Sequence, residues 1–174
     1  MPRNIEIKAR IHSVEAVLPR ARALADGDAL AIEQDDTFYR VPHGRLKLRR
    51  FADGSAELIH YERNDSVDAK ASDYVRVPVA DAAALHEALR RGCGLLGRVH
   101  KHRQLLMVAR TRIHLDRVEG MGDFIELEVV LQDGQSDADG IQVAERLMTA
   151  LGLASALRIA GAYLDLLPRP SDGG

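Results

Sequence analysis

NIEIKARI, residues 4–11, alternates without a break: Asn4, Glu6, Lys8 and Arg10 against Ile5, Ile7, Ala9 and Ile11. A two-residue period is that of a strand with one face buried. The pattern returns along the chain. RLKLRRF at 45–51 sets Arg45, Lys47 and Arg49 against Leu46 and Leu48. RTRIHLD at 110–116 sets Arg110, Arg112, His114 and Asp116 against Ile113 and Leu115. DFIELEVVL at 123–131 sets Phe124, Glu126 and Glu128 against Ile125, Leu127 and Val129, and VHKHR at 99–103 offers Lys101 and Arg103 on one face. In any one strand, charges in water and aliphatic residues in the core suffice as an explanation. Over the whole set, both signs of charge recur on the polar side of strand after strand. An antiparallel sheet closed into a barrel, with helices on its aliphatic side, would enclose those charges in an aqueous tunnel. Facing charges are tolerated there when opposite charges, metal ions or a charged ligand balance them.

The remaining segments fit an α+β chain. SVEAVLPRARALADG (13–27) has helical spacing after a serine, with Pro19 expected at a kink or turn. AIEQDDTFYRV (31–41), AELIHYERND (56–65) and DYVRVPVA (73–80) read as strands, with turns at PHG and DGS and a polar loop over 64–73. DAAALHEALRRGCG (81–94) is a helix with Asp81 as N-cap and glycine at its end. LGRVHKHRQLLMVA (96–109) and TRIHLDRV (111–118) are strands, and the turn EGMG separates the latter from DFIELEVVL. DADGIQVAERLMTALG (137–152) and ASALRIAGAYLDLL (154–167) are expected as closing helices. With no internal repeat and no second linker, one domain over residues 1–167 is expected, followed by a disordered tail, PRPSDGG, at 168–174.

Composition excludes several classes of function. A net charge of −2 drives the chain onto neither nucleic acid nor an anionic membrane, so any anion site must come from local clustering. Aromatics at 4% and no tryptophan leave no base-stacking platform. No apolar run reaches membrane-spanning length, the N-terminus lacks a signal-peptide core, and the single cysteine, Cys93, can form no intrachain disulfide. A cytoplasmic, soluble protein is expected.

The charged residues themselves indicate a ligand class. Glu6, Glu126, Glu128 and Asp116 are hard oxygen donors suited to Mg²⁺ or Mn²⁺. Lys8, Lys47, Arg49, Lys101, Arg103 and Arg112 suit phosphate oxygens, arginine gripping two at once. Together they match a metal-bound polyphosphate better than a sugar or a hydrophobic ligand.

NIEIKAR also resembles the N-terminal ExExK signature of the CYTH superfamily, which includes class IV adenylyl cyclases and triphosphate tunnel metalloenzymes such as thiamine triphosphatases. The resemblance continues in family order through QDDTFYRVPHGRLKLRR, AELIHYER, VHKHR and TRIHLDRVEGMGDFIELEVV, and so covers most of the chain. It implies an eight-stranded antiparallel tunnel with the charged side facing the lumen. By position it implies Glu6, Asp116, Glu126 and Glu128 as ligands of Mg²⁺ or Mn²⁺. It implies Lys8, Lys47, Arg49, Lys101, Arg103 and Arg112 as phosphate contacts, with Lys8 and Lys101 the candidate catalytic residues. The first signature glutamate is replaced here by Asn4, a neutral and poorer metal ligand.

Three functions remain. With water as nucleophile, the tunnel would hydrolyse a triphosphate such as tripolyphosphate, thiamine triphosphate or a nucleoside triphosphate. With a ribose 3′-hydroxyl attacking the α-phosphorus, it would convert ATP to cyclic AMP and pyrophosphate. A polyphosphate- or nucleotide-binding module without turnover is the third. Hydrolysis is preferred because no residue group reads adenine, and the resemblance is compatible with a homodimer. The seven histidines show no zinc-motif spacing, although His100 and His102 share a strand face. Cys93 lacks a partner triad, and no GxxxxGK[ST] loop occurs.

Overall fold

The computed structural model describes residues 4–62 and 73–167. The tail at 168–174 and the loop expected at 64–73 lie outside the described residues, except for Asp73, which starts a strand. Among the described residues eight strands form: β1 (Asn4–Ile11), β2 (Leu30–Tyr39), β3 (Arg45–Phe51), β4 (Ala56–Glu62), β5 (Asp73–Pro78), β6 (Leu95–Val108), β7 (Thr111–Val118) and β8 (Gly122–Val130). They make one antiparallel sheet in the order β1-β8-β7-β6-β2-β3-β4-β5. The aliphatic parity is inward to the helices, as the alternation requires. Ile5, Ile7, Ile113, Leu115, Ile125, Leu127 and Val129 are all buried in one cluster with Val14, Val17, Ala21, Ala144 and Met148.

Those last residues belong to two helices, α1 (Val14–Leu24) and α3 (Asp137–Ala150), laid over β1, β7 and β8. Ser13 caps α1 by accepting from the Ala16 N–H at 3.2 Å. Ser136 caps α3 in a capping box with Asp139. Gly140 lets α3 settle on β1, since a Cβ there would stand 2.6 Å from Ile5 Cγ1. Helix α1 runs on through Pro19 instead of ending there, because the proline φ is helical and Val17 and Ala21 on either side are buried against the sheet. The third helix, α2 (Ala82–Gly92), is capped by Asp81 and packs Leu85 and Leu89 beside Leu48 and Ala56, where Cys93 is also lodged. No described helix is long and apolar enough to cross a membrane.

The segment expected as a second closing helix, 154–167, folds otherwise. The Arg10 N–H donates to the Leu157 carbonyl at 2.9 Å, and the Ile159 N–H donates to the Lys8 carbonyl at 2.9 Å. The chain thus runs along the outer edge of β1, whose unpaired backbone groups are a template for it. Gly161, at φ +84, then turns it into a single 3-10 turn, Tyr163–Leu166. Helical spacing in that stretch is overridden by an edge that the sequence pattern does not show.

Candidate active site

Residues from all eight strands line one cavity of about 190 Å³, an order of magnitude above the ~15 Å³ that one water requires. β1 and β5 are the two ends of the sheet and both contribute, so the sheet curls round this space. Its closure is a matter of curvature, since no ladder joins β1 to β5 among the described residues. The lumen is lined by the charged parity of the strands: Glu6 and Lys8, Lys47 and Arg49, Lys101 and Arg103, Glu126 and Glu128.

Strand registry sorts these charges. On the β1–β8 wall, Glu6 lies opposite Glu128 and Lys8 opposite Glu126. Lys8 Nζ is 3.4 Å from Glu126, which also has His114 Nδ1 at 3.7 Å and Arg103 Nη2 at 3.9 Å. Glu128 accepts from Arg112 Nη1 at 3.0 Å and from the Asn4 amide. On the other side, Asp36 is the register partner of Arg49 and accepts from its Nε and Nη2 at 2.7 Å each, and from Lys47 Nζ at 2.7 Å. Asp116, the register partner of Arg103, accepts from Nε at 2.6 Å, Nη2 at 2.7 Å and the Tyr163 hydroxyl at 2.7 Å. A carboxylate edge of Glu6, Glu126 and Glu128 therefore faces a basic wall of Lys47, Arg49, Lys101 and Arg103 across one lumen.

Two expected residues do not line the cavity. Asp116 is fully buried behind Arg103, and its oxygens are taken by the guanidinium and Tyr163. Arg112 sits at a half-exposed rim against Glu128. Arg110 lies in the turn before β7 rather than on its face, and Arg45 is bonded to Asp165 at 2.8 Å. Sequence reading missed Asp36, in spite of its place in QDDTFYR, gave His114 no role, and missed Tyr163 entirely. Phe38, Val99, Val118 and Phe124 follow the charged positions toward one end of their strands and pack with Tyr163 and Leu164. Phe38, Val99 and Tyr163 of that apolar layer border the lumen. Gly97 admits the layer, since a Cβ there would lie 2.6 Å from Leu164 Cδ1.

Burial and crowding set the charge states. Burial pushes the Lys47 ammonium down to about 8, even with Asp36 beside it. Burial, with Arg103 adjacent, holds Lys101 well below the usual lysine value. Burial opposes ionisation of Glu126, yet Lys8, His114 and Arg103 keep its carboxyl well below the usual range. Against the same opposition, Lys101 and Arg103 hold Asp116 at about 2. Burial and then Arg103 lower His114, which favours its neutral form, and its buried Nδ1 has no hydrogen-bond partner among the described residues. The lumen thus resists protonating Lys47 and Lys101, and an anion would relieve that resistance. A fully ionised polyanion that enters the lumen should therefore take up protons at pH 8.5. Calorimetry in buffers of different ionisation enthalpy measures this, and an uptake near zero would contradict the depressed Lys47. The sign for folding agrees: between about 8 and the ordinary lysine value of roughly 10.4 the unfolded chain holds the extra proton, so these groups make the empty protein more stable as pH rises.

The fold and its lumen define a class: a curled antiparallel tunnel with carboxylates and cations facing one another across an anion-sized space. The CYTH domain model matches residues 2–163, and the chain belongs to that family. It is 28% identical over 173 residues to the adenylate cyclase CyaB of Aeromonas hydrophila, covering 94% of this chain and 87% of that protein. The PH1012 protein of Pyrococcus horikoshii OT3 shares the fold at TM-score 0.83 and 23% identity, over 95% of this chain and 99% of that one. A Hippeastrum protein, described as revealing a dominant triphosphatase activity, superposes at TM-score 0.64 with 16% identity, over 88% of this chain and 89% of that one.

Proposed function

We propose that this protein is a divalent-metal-dependent hydrolase of organic or inorganic triphosphates. The observation that carries the reading is the carboxylate edge opposed to a basic wall across a single lumen. The edge suits a hard cation. Glu6 and Glu128 are directly opposed on neighbouring strands, an arrangement of like charges that a cation between them would stabilise. Asn4 Oδ1, which borders the same cavity, is buried without a hydrogen-bond partner among the described residues. Glu6, Glu126 and Glu128 would hold Mg²⁺ or Mn²⁺, with Asn4 offering a neutral oxygen. When bound, the ion supplies charge neutralisation at phosphate oxygens.

The chain's own residues do the rest. Lys47, Arg49 and Arg103 grip phosphate oxygens and take up the charge that develops as the terminal phosphoryl group transfers. Lys8 and Lys101 stand 4.2 and 5.2 Å from the Tyr163 ring centroid, one on each wall. Lys101, charged once the phosphates are bound, donates a hydrogen bond to the bridging oxygen that leaves, while the attacking water passes its proton to an oxygen of the phosphoryl group it enters. The bond from terminal phosphorus to bridging oxygen breaks, and its electron pair leaves with the diphosphate. Asp116 orients Arg103 in this reading. The similarity to an adenylate cyclase favours a second reading, attack by a ribose 3′-hydroxyl on the α-phosphorus. Tripolyphosphate, thiamine triphosphate, ATP and GTP with Mg²⁺ or Mn²⁺, followed by phosphorus NMR, separate the two. Orthophosphate with a diphosphate supports hydrolysis, pyrophosphate with cyclic AMP supports cyclisation, and no metal-dependent product leaves a binding module.

Asn4 is the position to test for metal affinity. Asn4→Glu replaces an amide that donates to Glu128 with a further carboxylate. The variant should melt lower without metal, from the added repulsion, and bind Mn²⁺ about tenfold tighter through the extra ligand charge. Calorimetry with melting curves in and out of Mn²⁺ measures both. Unchanged affinity with no added stabilisation would place Asn4 outside the metal shell.

A further inference from the structure

We infer that Glu33, His100 and His102 form a second metal site, on the outer wall of the tunnel, that takes Zn²⁺ or a similar borderline divalent ion. Alternation along β6 turns Lys101 and Arg103 into the lumen and His100 and His102 out of it. Glu33 is the register partner of His102 across β2 and β6, and its Oε1 lies 2.9 Å from His100 Nε2. The three candidate ligand atoms all fall within 4.8 Å of one another. Tetrahedral bonds of about 2.1 Å put ligand atoms roughly 3.4 Å apart, so small side-chain rotations bring all three onto one ion.

The histidine between the two carboxylates is already oriented. His100 Nδ1 donates to Glu119 Oε2 at 3.0 Å and Nε2 donates to Glu33 Oε1 at 2.9 Å, so an ion taken between His100 and Glu33 would displace the Nε2 proton while Glu119 keeps the ring in place. A carboxylate behind the far nitrogen is the arrangement that tunes metal-bound histidines. Both histidines ride on a 14-residue strand paired on either side, so the ligands sit on rigid backbone. The donor set also separates this site from the lumen. Two imidazoles and one carboxylate favour Zn²⁺, whereas an all-oxygen set favours Mg²⁺ or Mn²⁺. Glu33 and His102 are exposed, so an ion reaches them without entering the tunnel. Zinc-motif spacing is absent because the ligands come from two strands, with Glu33 and His100 separated by 67 residues. A bound ion would tie β2 to β6, the strand that presents Lys101 and Arg103 on its other face.

The test is Zn²⁺ calorimetry and Co²⁺ visible spectroscopy on the untagged protein in excess Mg²⁺. The wild type should bind one Zn²⁺, show Co²⁺ d–d bands of a four-coordinate site and melt higher with Zn²⁺. His102→Ala and His100→Ala should each weaken Zn²⁺ at least about tenfold, and Glu119→Gln about tenfold. Glu128→Gln, in the lumen, should leave Zn²⁺ affinity unchanged. The proposal is overturned if the wild type gives no such bands, if Zn²⁺ affinity survives both histidine substitutions, or if it is lost in Glu128→Gln, which would place the ion in the tunnel.

Discussion

Replacing Asp116 with asparagine is expected to lower the melting temperature of the empty protein by about 10 °C and to leave much of that loss recoverable with tripolyphosphate. Asp116 has no exposed surface, and it carries both N–H groups of the Arg103 fork and the Tyr163 hydroxyl. Removing one charge from a buried pair costs about 3–5 kcal/mol, because the other charge stays behind without its partner. At roughly 2–4 °C per kcal/mol for a chain of this size, a fall near 10 °C follows. Phosphate would return negative charge to Arg103, so tripolyphosphate should stabilise the variant more than it stabilises the wild type. Scanning calorimetry with and without tripolyphosphate decides between two roles. A metal ligand would behave otherwise: its asparagine variant would melt normally when empty and lose only the stabilisation gained from Mn²⁺. Acid gives a second check. With Asp116 held at about 2, its contribution is present above the unfolded value near 3.9 and is lost as pH falls from there toward 2.

The face on which each charge sits was legible because one parity of the strands is uniformly aliphatic. Ile5, Ile7, Ile113, Leu115, Ile125 and Leu127 can only be buried, and their neighbours must then point the other way. That the polar side faces a lumen rather than bulk water rested on both signs of charge recurring in strand after strand, and on the resemblance. Asp36 escaped because Glu33, Gln34, Asp35 and Asp36 are polar in succession, so parity there names no inner face. Its role rests on the β2–β3 register, which sets it against Arg49. Asp116 was legible as a lumenal acid by parity, yet the sequence does not show that Arg103 and Tyr163 saturate it. Tyr163 was least legible of all. It reaches the lumen because Leu157 and Ile159 follow the edge of β1, a contact across some 150 residues. Residue types and faces are local properties of a strand, whereas partners depend on which strands become neighbours.

The two lumenal glutamates of β8 should then separate turnover from stability. Glu126→Gln and Glu128→Gln are each expected to reduce metal-dependent turnover about a hundredfold or more, since metal charge at phosphate oxygens is worth several kcal/mol. Their effects on the fold should differ. Glu126 has three cationic or titratable partners, Lys8, His114 and Arg103, between 3.4 and 3.9 Å, and its side chain is 15% exposed. Its loss leaves Lys8 without the carboxylate beside it, and about 3 kcal/mol of stability should go with it. Glu128 is the more open of the two and pairs with Arg112, which is 43% exposed, so its loss should change stability by less than about 1 kcal/mol. Binding of tripolyphosphate without metal gives the opposite sign. Glu126 lies in the same space as the basic wall, and an anionic ligand is repelled by it. Glu126→Gln should therefore bind metal-free tripolyphosphate more tightly while turning it over more slowly. Calorimetry in chelator, set beside a phosphate-release assay in Mn²⁺, reads both quantities on one preparation. Full metal-dependent turnover in both variants would remove these carboxylates from the metal site. Weaker metal-free binding in Glu126→Gln would mean instead that Glu126 organises Lys8 and Arg103 for the phosphate, and that its charge serves the cradle more than the metal.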